Sequence, residues 1–164
     1  MTNPSLFIIM IMMKFLELRI PPPILVLFTA LFMWINAEIL PKEINLTLTT
    51  PLSILIFLFG FGITAFAAIS FRRAKTTISP THPQNATVLI HSGIFRLSRN
   101  PMYLGMAIML IGWAIGLKSI QVIWGPIFFI LYITRLQIVP EEKILTEKWG
   151  DQYLNYCLQT RRWL

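Results

Sequence analysis

PLSILIFLFGFGITAFAAISF, residues 51–71, contains no charged side chain, and its reading decides the fold. An α-helix needs about 20 consecutive apolar residues to cross the hydrocarbon core of a bilayer. In water, a helix that is apolar all round has to be buried inside a core larger than 164 residues readily build. Blocks of the same texture occupy residues 22–40, 102–117 and 120–139. Unpaired backbone groups are costly in hydrocarbon, so each block is expected as a helix. The expected fold is all-α, a polytopic membrane protein of about four transmembrane helices. A composition of 55% hydrophobic and 13% charged residues agrees with this.

Working outward, residues 6–13 are apolar but too short to span, and Lys14, Glu17 and Arg19 follow among further apolar residues. This suits an N-terminal amphipathic helix lying in the interface. No basic residue precedes the run and no small-residue cleavage site follows it, so it is not read as a signal peptide. Prolines 21–23, Pro51 and Pro101 sit where helices would begin, because proline suits a first turn and not an interior. Asn100 is expected to cap the helix at Pro101 with its side chain. Gly105, Gly112 and Gly116 weaken an isolated helix but allow close approach of a neighbour. Lys118 and Ser119 then make a tight turn, so residues 102–139 form an antiparallel hairpin. Pro140, Glu141 and Glu142 read as the start of a C-terminal helix, too short and polar to span, with Leu145, Trp149, Tyr153 and Tyr156 on one side.

The chain thus reads as one domain. Residues 1–21 form an interfacial segment, 22–75 the first two spans, 76–101 a long loop without a helical stripe, 102–139 the hairpin and 140–164 the C-terminal helix. The loop contains Val88, Leu89, Ile90, Ile94, Phe95 and Leu97, which argues that it is ordered.

The net charge of +7 could suggest nucleic acid, but its placement does not. All but Lys42 and Lys118 of the 14 lysines and arginines fall near the N-terminus, in the long loop with its flank, or from Arg135 onward. The positive-inside rule turns that asymmetry into a topology. Both termini and the loop are expected in the cytoplasm, with the protein in the inner, cytoplasmic membrane. Cys157 is the single cysteine, and His82 and His91 match no ligand spacing, so no disulfide or metal site is expected. Glycine-rich phosphate loops and Ser/His/Asp patterns are also missing.

Polar residues able to do chemistry gather on one side. Residues 89–105 deliver Arg96, Arg99 and an aromatic to the positive end of a helix, a setting for a carboxylate or phosphate. The plainer reading makes both arginines anchors for lipid phosphates. Glu141 and Glu142 could equally serve only the helix dipole. Arg135 lies inside an apolar span, where charge faces a polar cavity or partner, or snorkels to the headgroups. Were the helix to continue past Pro140, Arg135 and Glu142 would share a face and pair.

Residues 89–105, LIHSGIFRLSRNPMYLG, resemble the LVxxGxYRxxR(H/N)PxYxG motif of isoprenylcysteine carboxyl methyltransferases and the related phospholipid methyltransferases. The run from Glu141 to Trp163, with paired glutamates, Trp149-Gly150, Tyr153, Tyr156 and Arg161-Arg162, is similar to the segment that follows there. Arg72 to Pro80 resembles the prokaryotic branch. The resemblance implies an S-adenosyl-L-methionine-dependent methyltransferase with its cofactor under the cytoplasmic segments and a lipidic or hydrophobic acceptor, isoprenylcysteine carboxylate-like, arriving from the bilayer. Carried over by position, it implies cofactor contacts from Thr87, Val88, Leu89, Ile90, Phe95, Asn100, Pro101, Met102, Tyr103 and Glu141. Arg135 would orient an acceptor carboxylate. Phe95 stands where the family often has tyrosine, Asn100 where the eukaryotic enzymes have histidine, and Gln137 at the nearest equivalent of the substrate-side arginine. The alternatives are a phospholipid N-methyltransferase, a membrane reductase, and a non-enzymatic scaffold or transporter subunit.

Overall fold

A computed structural model describes residues 14, 16–39, 49–75 and 83–164. Most of the expected interfacial segment lies outside the described residues. The described residues form helices and turns, with no strand. The helices are α1 (Pro22–Ile39), α2 (Thr49–Arg73), α3 (Pro101–Gly116), α4 (Trp124–Ile133), α5 (Val139–Trp149) and α6 (Asp151–Gln159). Short 3-10 turns occupy Pro83–Asn85, Gly93–Arg96 and Ile120–Ile123.

Among the described residues, Pro22–Ile39, Thr49–Arg73 and Ile120–Trp149 are each long and apolar enough to cross a membrane. The fourth apolar helix, α3, is shorter and sits between the others, packing against α1, α2 and α4. Leu27 and Phe28 on α1, Leu55, Leu58 and Phe59 on α2 and Leu131 on α4 face outward. A continuous apolar exterior of this kind is matched by lipid and not by water. The chain is an integral membrane protein.

The pairing of α2 with α3 is fixed by small residues. Ser53, Gly60 and Ala67 are buried on α2, seven apart, and Gly105 and Gly112 on α3. A Cβ on Gly60 would lie 2.6 Å from the Gly105 carbonyl oxygen, and one on Gly112 would lie 2.7 Å from the Phe57 nitrogen. The backbones meet because nothing larger stands between them, as the glycines of residues 102–117 suggested. The other side of α3 packs into a core of Leu25, Met33, Met106, Leu110, Phe129 and Ile133.

The helix expected to open at Pro140 is instead the continuation of the last span. A π turn, Thr134–Ile138, joins α4 to α5 into one rod running from Ile120 to Trp149. Proline inside a helix clashes with the carbonyl four residues back and supplies no donor to it. The wider π turn makes room for the ring, and the carbonyl Pro140 leaves free, that of Leu136, accepts from the Leu18 N–H at 3.0 Å. The rod is about 45 Å long, against a hydrocarbon core of about 30 Å. Its run of charged residues begins at Glu141, so α5 stands clear of the hydrocarbon. Gly150, with φ 51° and ψ −129°, then breaks the rod from α6. Leu145, Trp149, Tyr153 and Tyr156 still meet in one cluster across that break.

Candidate active site

The loop before α3 turns at Gly93, whose φ is +62°. It buries Phe95 against Ala67 and the edge of Phe71, 5.3 Å between ring centroids. The Tyr156 hydroxyl donates to the Phe95 carbonyl at 2.7 Å, fastening the loop to α6. Leu89 and Ile90, half-buried, pack on the same cluster, while Thr87 and Val88 are exposed.

The next three residues are fastened by the 160–164 segment. The Arg99 N–H donates to the Arg161 carbonyl at 2.9 Å, and the Ser98 hydroxyl and the Asn100 side-chain amide donate to the Arg162 carbonyl at 3.3 and 3.0 Å. Asn100 therefore does not cap α3 with its side chain, as its position before Pro101 had suggested; the amide is committed across the site. Trp163 donates from its indole N–H to the Thr134 hydroxyl at 3.2 Å, tying the same segment to the π turn.

Glu141 and Glu142, about 100° apart around their helix, face different partners. Glu142 accepts from Arg99 Nη2 at 2.7 Å and from Arg162 Nε and Nη2 at 3.0 and 2.7 Å. The second arm of Arg99 donates to the carbonyls of Cys157 and Thr160 at the end of α6, both at 3.2 Å. The expected pairing of Arg135 with Glu142 is not formed. The π turn alters the register, Arg99 and Arg162 take the carboxylate, and Arg135 is exposed, making none of these bonds. Burial raises the Glu142 carboxyl, but the bonds and charges of Arg162 and Arg99 outweigh it and hold the group below its ordinary value.

Among the described residues, Glu141 is bound by neutral groups only. The Tyr103 hydroxyl donates to its two oxygens at 3.0 and 3.1 Å, and Gln137 Nε2 donates to Oε1 at 3.2 Å. Burial pushes this carboxyl up to about 7, against the downward pull of the Tyr103 and Gln137 bonds; the charge of Glu142 adds to the rise. Two neighbouring carboxyls are thus set apart, one held ionised and one poised near neutrality. Pro101 and Tyr103 are buried, and Met102, half-buried, lies between the two apolar clusters. The structure brings together Leu89, Ile90, Phe95, Pro101, Met102, Tyr103 and Glu141 around one end of α3. Gln137, Glu142, Ser98, Arg162 and Trp163 join them. Of these, the paired acids and paired arginines were visible as charges, and only the fold shows how they pair.

The profile described as phospholipid methyltransferase matches residues 48–152, from the start of α2 into α6. That stretch is more than half of the chain and contains the Tyr103–Glu141 pair. The chain belongs to the phospholipid methyltransferase family. As a member of that family it is a membrane methyltransferase. A relative from Haemophilus influenzae, described as an uncharacterized protein, is 41% identical over 63 residues, 38% of this chain and all of that protein. No solved structure matches the chain.

Proposed function

We propose that the chain transfers the methyl group of S-adenosyl-L-methionine to a lipidic acceptor at the end of α3, on the cytoplasmic side of the inner membrane. The observation that carries the reading is Glu141. Inside the family segment, it is a carboxyl bonded by two neutral donors and by no cation among the described residues. A cofactor with an amino group and a ribose supplies the missing partner, by charge or by hydroxyl. The apolar and aromatic groups clustered with Met102, next to Tyr103 in sequence, are Phe95, Leu89 and Ile90, and they suit an adenine ring. Two buried donors there, Arg99 Nε and Trp149 Nε1, have no partner among the described residues. The residues present therefore fit the cofactor.

When bound, the cofactor supplies a methyl group made electrophilic by its sulfonium. The chain's part is to orient and to exclude water, which methyl transfer needs more than a proton shuttle. Glu141, Tyr103 and Met102 would hold the polar end, and the fastened loop from Thr87 to Asn100 would cover it. An acceptor tail would lie in a groove of about 730 Å³ between α1 and α4, lined by Ile24, Leu25, Phe28, Phe32, Trp124 and Phe128.

An acceptor carboxylate of the isoprenylcysteine kind needs a cation, for which Arg135 remains the candidate. Arg99 and Arg162 are already committed to Glu142, and that pairing favours the second reading, a phospholipid amine. Calorimetric titration with S-adenosylhomocysteine tests the cofactor. Binding to the detergent-purified protein, lost in Glu141→Ala and not seen with NADPH, is expected. A well-folded sample that binds none would overturn the reading in favour of a scaffold. Transfer of labelled methyl to phosphatidylethanolamine vesicles or to a farnesylcysteine analogue then separates the acceptors.

A further inference from the structure

Gln137 is 2% exposed, inside the π turn, four residues before Glu141. An amide buried there costs free energy unless its polar atoms are bonded. Its bond to Glu141 Oε1 reaches four residues along the rod, and the Tyr103 hydroxyl approaches the same oxygen from α3 at 3.0 Å. Among the described residues, the charged groups around Glu141 belong to the neighbouring set. They are Glu142 on α5, Arg99 from the loop before α3, and Arg162 from the 160–164 segment, with both arginines turned to Glu142.

We propose that Gln137 is a positioning residue, which acts through Glu141 by holding its carboxyl in the single orientation that a cationic or hydroxyl group of a bound cofactor requires. The inference rests on the cofactor reading only for what Glu141 receives. A carboxylate rotates freely unless its oxygens are distinguished, and Gln137 bonds one of the two while Tyr103 bonds both. A neutral donor also favours the charged form of the acid it bonds, so loss of the amide should make Glu141 harder to ionise.

The test uses the full chain in detergent, without cofactor. Infrared absorption of the protonated carboxyl is followed against pH and assigned by its disappearance in Glu141→Gln. S-adenosylhomocysteine affinity is measured over the same pH series. In the wild type the carboxyl should titrate at about pH 7. Gln137→Leu, close in volume and without the donor, should raise the midpoint by about one pH unit. Affinity at pH 7 should fall roughly fivefold, with the pH profile displaced to match. Gln137→Met is the second variant if the first does not fold. A side chain that merely fills space predicts a folded variant with the midpoint unmoved, and that result overturns the proposal. A displaced midpoint in a protein that binds no S-adenosylhomocysteine would sustain the positioning role and sink the cofactor reading; an unmoved midpoint with binding retained would do the reverse.

Discussion

Glu142 joins three parts of the chain that are far apart in sequence: the loop before α3 through Arg99, the 160–164 segment through Arg162, and α5 on which it sits. Glu142→Gln should lower stability by roughly 2 kcal/mol, since charge-assisted bonds are lost to partly buried arginines that solvent still screens. Thermal unfolding in detergent checks this. The sign with pH follows from a folded-state value held below the ordinary 4.5. The contribution is complete above about pH 4.5 and is lost as pH falls through the lower folded value, so wild type and variant should converge in acid. The paired acids could be picked out from the sequence, and so could the arginines. Their partners could not, because choosing Arg162 over Arg135 depends on the π turn's register and on where a segment 20 residues away returns.

At the scale of the element, the α2–α3 seam is a matter of two backbones in contact. Gly105→Ala puts a Cβ 2.5 Å from the Gly60 carbonyl oxygen, whereas Gly62 has open space around it. Gly105→Ala should cost about 1–3 kcal/mol, and Gly62→Ala should be close to neutral, measured by the same unfolding assay. The apolar blocks made the spans legible, and the glycines marked the close pair. The join at Pro140 was not legible, because proline ordinarily ends a helix and the device that lets it pass, a widened turn with its spare carbonyl taken by Leu18, is made by a distant residue. The break at Gly150 was hidden for the opposite reason, since Trp149 and Tyr153 keep a shared apolar side on both sides of it.

For the whole molecule, the spans and the site answer to different forces. Apolar surface and small-residue packing hold the helices, while hydrogen bonds that the loop donates to carbonyls of the 160–164 segment hold it over the end of α3. Removing residues 160–164 should therefore leave helix content and membrane insertion intact and abolish S-adenosylhomocysteine binding, read by circular dichroism and calorimetry. In the α1–α4 groove, Ile24→Trp, at an exposed lining position, should raise KM for a long-chain acceptor while leaving S-adenosylhomocysteine affinity unchanged. Of the polar residues that the sequence gathers on one side, Arg99, Glu142 and Arg162 pair with one another in the fold, as charge that is costly inside the spans collects where they end.

The π turn between α4 and α5 makes the site sensitive to the number of residues that precede it as well as to their identity. An in-frame loss of a single codon within residues 134–138 would remove the residue that the wider turn accommodates and set the Pro140 ring against the carbonyl four residues before it, in a rod still apolar and still long enough to span. The rod would kink at the proline instead of passing it, carrying Glu141 away from Tyr103. Such a lesion would escape any screen for expression or membrane targeting and show itself only as lost ligand binding. Comparisons of related chains should accordingly find substitutions in this stretch far more often than gaps.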